Sequence, residues 1–198
     1  MTEKKFITAG WLAISGAILV LPVLVWGIVL DIMAQKENLS IPFAALFLLV
    51  SLSQSVMVIF AFYRFKDYLN ELHNFHKADF LMIAIVIGAI AVTSVATIAR
   101  IASWAGNPGE TQFVFIALFL LVGIPLGVLS VIFGIKLLEL NDSGLAFMKP
   151  YAYLNIVSGV LFVTFFLAPI AMLVSGVADL LMGLMMLRKG PEVHPEFV

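Results

Sequence analysis

Apolar residues fall into five long runs along this chain, at residues 6–30, 41–63, 80–103, 112–138 and 151–187, with short polar breaks between them. None of the runs alternates apolar with polar positions as a barrel strand would, so a chain that satisfies its backbone in lipid must do so with helices. A bilayer core takes about 20 helical residues. The first four runs each fit one helix on that measure, and the fifth is too long. Ala168-Pro169 lies near its middle, and a proline disfavours helix in itself and in the residue before it. The pattern predicts an all-α, six-transmembrane-helix bundle in a single domain over residues 1–198, with helices at about 7–30, 42–63, 80–103, 112–138, 151–167 and 170–187. One long kinked helix in place of the last two is the alternative, and it would move the C-terminus across the membrane. The first run ends at Asp31 without a small-residue cleavage site and reads as a signal anchor that stays in place.

One break is larger than the others. In residues 64–79, Phe65, Tyr68, Leu69, Leu72 and Phe75 recur at helical spacing against Lys66, Asp67, Asn70, Glu71, His73 and Lys77. This is a water-facing amphipathic segment, lying on the inner membrane surface or prolonging the second span. The outward turn between the third and fourth helices is expected at Gly106-Asn107-Pro108-Gly109.

Charge supports the six-helix division. It puts Lys4, Lys5, Arg64, Lys66, Lys77, Lys136, Lys149, Arg188 and Lys189 on one side and only Lys36 and Arg100 on the other. By the positive-inside rule the basic side is cytoplasmic, and both termini with it. The expected location is the inner (plasma) membrane. With 63% hydrophobic residues, 12% charged residues and a mean hydropathy of +1.13, the composition is that of a polytopic membrane protein. A net charge of −1 gives no bulk attraction to nucleic acid. The absence of cysteine excludes disulfides, thiolate catalysis and Cys-ligated clusters.

The helices echo one another. Ser15-Gly16-Ala17-Ile18, Ile87-Gly88-Ala89-Ile90 and Ser158-Gly159-Val160-Leu161 recur in the three outward-running helices. In the returning helices Gly127, Ser130 and Gly134 match Gly176, Asp179 and Gly183. Leu49-Val50-Ser51 and Arg64 align with Leu173-Val174-Ser175 and Arg188, which sets Ser55 opposite Asp179. Three tandem helical hairpins account for this, against chance reuse of Gly, Ala, Ile and Val. Six helices in this length, in three Gly-bearing hairpins, resemble the HdeD-like family of acid-resistance membrane proteins. The similarity is nearest from Ile156-Val157-Ser158-Gly159-Val160-Leu161 through Pro169 to Gly176 and Gly183. The long connection at 64–79 departs from it. The resemblance implies a part in acid-stress tolerance, and it brings no catalytic site.

Asp179 is the residue that most asks for a function. An acid at the centre of a membrane helix costs about 2.5–3.5 kcal/mol on insertion scales, so it must face protein or water. Gly176, Asp179 and Gly183 share one helix face at i, i+3 and i+7, and small residues there let helices approach closely. Asp179 is therefore expected at a packed seam, at a depth similar to that of Gln54. Ser51, Gln54, Ser55, Asn155, Ser158 and Asp179 form one polar cluster if the second, fifth and sixth helices meet. Two roles remain open for Asp179: a protonatable group in a proton or cation path, or a hydrogen-bonded lock between helices.

Gly123, Gly127, Ser130 and Gly134 form a second small-residue face, suited to an internal neighbour, to a second copy of the chain or to another membrane protein. Thr93, Thr97, Arg100 and Trp104 line the outer part of the third helix, where Arg and Trp read as interfacial anchors rather than as a cavity mouth. His73 and His76 are the sole metal-like grouping, and Lys77 beside them favours a solvated surface or a pH-sensing pair. Lys136 is expected to pair with Glu139 at i+3. No cofactor is expected, because no histidine lies in a span for haem and no phosphate loop or hydrolase motif is visible. Three functional classes stand: a non-enzymatic stress-tolerance protein, a small ion or solute transporter or channel, and a membrane scaffold.

Overall fold

The computed structural model describes residues 2–36, 38–105, 108–140, 147–164 and 167–188. Their regular secondary structure is helical throughout: α1 (Thr2–Gln35), α2 (Ile41–His73), α3 (Asp79–Ala105), α4 (Pro108–Leu138), α5 (Met148–Val163) and α6 (Ala168–Leu187). Every helix but α5 is long and apolar enough to cross a membrane. α5 has 16 residues, about 24 Å at a rise of about 1.5 Å per residue. The chain is a helical membrane bundle.

The break at Pro169 is present. α5 stops at Val163, where the Thr164 hydroxyl donates to the Leu161 carbonyl at 2.7 Å. Pro169 sits in the first turn of α6, where its missing N–H leaves no bond unmade. α5 begins three residues before Tyr151, the start expected from sequence, because Pro150 too falls within a first turn. Residues 64–73 continue α2 without a break. That helix ends at Asn74, whose left-handed backbone (φ 49°) lets its N–H reach the Asn70 carbonyl while the Phe75 N–H reaches that of Leu69. Gly106 and Asn107 lie outside the described residues, as does Lys189; Pro108 opens α4.

The six helices close into a ring in chain order, α6 returning to pack on α1, with a smaller contact across the ring between α2 and α6. Specific side chains fix which ends meet. At one end Lys5 of α1 pairs with Glu71 of α2 at 2.6 Å, Asn70 bonds Asp79 at the start of α3, and Lys77 faces Glu139 at 3.8 Å just after α4. The Arg188 guanidinium after α6 lies over the Phe147 ring that precedes α5, 5.9 Å from its centroid. This end carries nearly all of the positive charge and is called the basic end below. At the other end Asp31 of α1 meets Arg100 and Trp104 of α3.

Glycine decides how tightly the hairpins join. On α4, a β-carbon at Gly127 would lie 2.9 Å from the Gly159 carbonyl oxygen, and one at Gly134 2.6 Å from that of Ala152, both on α5. α6 meets α1 in the same manner, with Gly183 on Gly10 and Gly176 on Val20. These are the aligned positions of the hairpin repeat. Leu52 and Ile59 occupy the aligned places on α2, and the α2–α3 seam is the least extensive of the ring. Small residues permit close backbone approach and branched ones prevent it.

The well-packed core lies toward the basic end. It joins Phe6 and Ala9 of α1, Phe62, Phe65 and Tyr68 of α2, Met82 of α3, Phe133 of α4, Tyr151 of α5 and Met182 and Met185 of α6.

Candidate functional site

Packing fixes where Asp179 points. Gly176 and Gly183 rest on α1. Met182 faces α5, where the Tyr151 hydroxyl donates to its sulfur at 3.7 Å. With about 3.6 residues per turn, Asp179 falls between these two contact directions. It therefore faces the interior of the ring. The lipid-facing arc is marked instead by Ile170, Val177 and Leu184, all exposed. The side chain is partly buried, and among the described residues no hydrogen bond or ion pair reaches its carboxylate. The Tyr151 phenol is within electrostatic reach of it.

On the basic-end side of Asp179 the interior is shut by aromatic rings. Tyr151 sits edge-on to Phe65 at 5.3 Å and to Phe133 at 6.3 Å, and Phe133 is edge-on to Phe62 at 5.4 Å. Phe65 stacks on Tyr68, which meets Phe6 edge-on, and the Tyr68 hydroxyl donates to the Met185 carbonyl at 3.1 Å. Four helices thus contribute one ring each to the chain Phe6–Tyr68–Phe65–Tyr151–Phe133, except α2, which gives two. Offset and edge-to-face geometry is how aromatic quadrupoles pack best.

The polar residues expected around Asp179 share its layer without forming one bonded cluster. Four of them bond backbone carbonyls: Gln54 on Gly16 across the α1–α2 seam at 3.3 Å, Ser55 on Ser51 at 3.1 Å, Asn155 on Tyr151 at 2.8 Å, and Ser158 on Ala171 across the α5–α6 turn at 3.2 Å. Register along α1 puts Asp179 and Gln54 at neighbouring depths. Gly183 and Gly176 meet α1 at Gly10 and Val20, so Asp179 lies opposite the turn holding Gly16, which Gln54 contacts. Tyr151, Phe65 and Phe133 have no place in the sequence-derived site. Aromatics near the end of a span read as interfacial residues, and only tertiary packing turns them inward.

The other singled-out residues have plainer surroundings. Gly123, Gly127 and Gly134 are buried, and the last two are occupied by α5, so that part of the face is internal. Lys136 bonds Glu139 at 2.7 Å, as the i+3 spacing predicts, and this bond, with Lys77 nearby, holds the Glu139 carboxyl below its usual range. His73 packs its ring near Tyr68, at 5.7 Å, and burial lowers its pKa from 6.5. The His76 Nδ1 lies 3.3 Å from an Asp79 oxygen. Among the described residues no three His, Cys, Asp or Glu side chains gather as a metal site.

Arg100 differs from the free interfacial anchor expected of it. Its guanidinium donates to Asp31 at 3.1 Å and lies over the Phe47 ring, 5.1 Å from the centroid. The Trp104 indole N–H donates to the second Asp31 oxygen at 3.2 Å. Gly27 makes room for it, since a β-carbon there would come within 3.1 Å of the guanidinium. This tie joins α1 to α3 past the buried Phe47 ring of α2.

Neither a protein-family model, a curated protein nor a solved structure matches the chain.

Proposed function

We propose that this is a non-enzymatic integral protein of the inner (plasma) membrane, with six spans and both termini in the cytoplasm, that contributes to acid or envelope stress tolerance through Asp179 as its protonation-sensitive element. The observation that carries the reading is the Asp179 carboxylate itself, turned into the ring interior without a hydrogen-bonding partner among the described residues and within electrostatic reach of the Tyr151 phenol. A group held there as a lock between helices would be expected to use its acceptors, and this one does not. The sidedness rests on the basic end, which the positive-inside rule assigns to the cytoplasm. The HdeD-like resemblance points to the same stress role.

The test is internal pH after an acid shift in cells lacking the protein, complemented with the native chain or with Asp179→Asn at matched membrane abundance. Recovery with the native chain alone supports the reading. Equal recovery with both removes Asp179 from it, and no recovery with either removes the stress role.

Transport of a small ion or solute is the second reading, favoured by the layer of Ser51, Gln54, Ser55 and Asn155 at the depth of Asp179. It predicts flux in liposomes that Asp179→Asn abolishes. A scaffold working through the α4 glycines is the less favoured, because α5 already covers Gly127 and Gly134.

A further inference from the structure

The ion pairs of the basic end leave one corner of the bundle unneutralised. Lys5, Arg64, Lys66, Lys77 and Lys136 each have a carboxylate partner. Among the described residues of that end, Lys4, Lys149 and Arg188 have none. Lys4 has Glu3 beside it in the sequence, whereas neither Lys149 nor Arg188 has an acid within three residues. These two come together where α6 ends and α5 begins. The Arg188 guanidinium lies over the ring of Phe147, two residues before Lys149. Both cationic residues are exposed. Lys149 is also badly placed for its own helix. It stands in the first turn of α5, which has no acid and no side-chain cap, and a cation at the positive end of a helix dipole is repelled. Folding alone gives no reason to gather two unpaired cations at this corner, and a bound anion does.

The surface that continues from these cations along the bundle is apolar and exposed. On α5, Tyr153, Val157 and Val160 are exposed at i+4, i+8 and i+11 from Lys149. On α6, Leu184, Val177 and Leu173 are exposed at i−4, i−11 and i−15 from Arg188. With about 3.6 residues per turn, each set lies on one helix face in line with its cation. The two helices pack together along their length, at Tyr151 on Met182 and at Ser158 on Ala171. We propose that the α5–α6 corner of the basic end binds an anionic phospholipid of the adjoining leaflet, with its phosphate on Lys149 and Arg188 and its acyl chains along the two apolar faces. The proposal goes beyond the stress reading and does not depend on Asp179. A guanidinium takes two phosphate oxygens at once, and an ammonium adds a compact point charge. The exposed Tyr153 ring, one turn in from Lys149, suits the headgroup boundary, where tyrosine is enriched. A zwitterionic headgroup brings a cation of its own, which Lys149 and Arg188 repel, so the corner selects lipids with net negative charge. A free phosphate ion would meet the cations and leave the apolar faces uncovered.

The test is a lipid titration of the delipidated full chain in mild detergent, read by native mass spectrometry, with phosphatidylglycerol as the anionic probe and phosphatidylcholine as the zwitterionic one. The native chain is expected to bind phosphatidylglycerol the more tightly. Lys149→Gln and Arg188→Gln should each weaken that binding about fivefold and leave phosphatidylcholine unchanged. Lys149→Arg, which keeps the charge, should bind as the native chain does. Lys136→Gln removes a cation already paired with Glu139 and should leave the affinity as it is. No preference for phosphatidylglycerol in the native chain, full affinity in both glutamine variants, or an equal loss in Lys136→Gln overturns the proposal. Inorganic phosphate in excess should displace little phosphatidylglycerol, and complete displacement would make a free anion the occupant and overturn the lipid. Lys149 and Arg188 are exposed and bonded to no other helix by an ion pair, so their variants are expected to fold. If one glutamine variant fails to fold, the other decides. The outcome is separate from the acid-shift test, since either can fail while the other stands.

Discussion

Gly10 and Gly183 cross backbone to backbone: a β-carbon on either would stand 2.9 Å or 2.7 Å from the carbonyl oxygen of the other. The α6–α1 seam that closes the ring is built on this crossing, as the α4–α5 seam is on Gly127 and Gly159. Both seams join one hairpin to the next. The third such junction, α2–α3, has no glycine in register and is the slackest.

The crossing makes a graded prediction. Alanine at Gly183 would meet the Gly10 carbonyl and the Ile14 Cγ1, both at 2.7 Å, and backbone cannot step aside cheaply. Alanine at Gly176 would meet only the Val20 side chain, at 3.1 Å. Gly183→Ala is expected to cost about 1–3 kcal/mol, the usual range for overpacking, and Gly176→Ala clearly less. Thermal unfolding in detergent, followed by the loss of the monodisperse peak, orders the two. An equal effect would mean that the α6–α1 seam is looser than its geometry.

Much of this framework was legible in the chain. Run length and Pro169 separate α5 from α6 in the sequence; the aligned glycines lie at the two close seams, but the sequence left open which helices they would meet. The interior of the site was not legible. Asp179 announced itself by its cost in lipid, but the rings beneath it are Phe and Tyr among 17 phenylalanines and 4 tyrosines, and nothing local tells an inward ring from a lipid-facing one. The Asp31–Arg100 pair spans 69 positions and joins two helices that are not sequence neighbours, so no helical spacing could point to it.

That pair carries a prediction of its own. The Asp31 and Arg100 side chains are 42% and 34% exposed, so the ion pair alone is worth about 0.2–1 kcal/mol. Asp31 also accepts from Trp104. Asp31→Asn is therefore expected to lower stability modestly and to shift the tryptophan emission, whereas Arg100→Lys keeps the charge but loses the planar contact with Phe47. A double-mutant cycle with added salt measures the pair. A coupling that does not fall with salt would show that stacking, rather than charge, holds α1 to α3.

His73 gives the bundle a pH dependence at its basic end, beyond the apolar run of α2. Burial sets its pKa in the folded chain below the ordinary 6.5. Above that value both folded and unfolded chains hold a neutral ring, and His73 contributes no pH dependence. As pH falls through 6.5 the unfolded chain takes up the proton first, so stability drops until the lowered folded value is passed. His73→Gln is expected to flatten this part of a plot of thermal midpoint against pH. A plot that keeps its slope in the variant would assign the effect to other groups.

Asp179 separates a lock from a functional group by stability alone. A carboxylate that bonds two helices together is missed when it is removed, and the loss is largest when its partners are left unsatisfied. Here no partner is bonded to it among the described residues, and its surroundings include Gly176, Gly183 and Met182. Replacing it should release the cost of holding an unpaired polar group at this depth, a gain of up to about 3 kcal/mol. Asp179→Asn is accordingly expected to unfold no earlier than the native chain, and Asp179→Leu to unfold later, while both lose the response to an acid shift. A stabilised variant that has lost function is the signature of a residue kept at the expense of the fold. Earlier unfolding of both variants would instead return Asp179 to the role of structural glue.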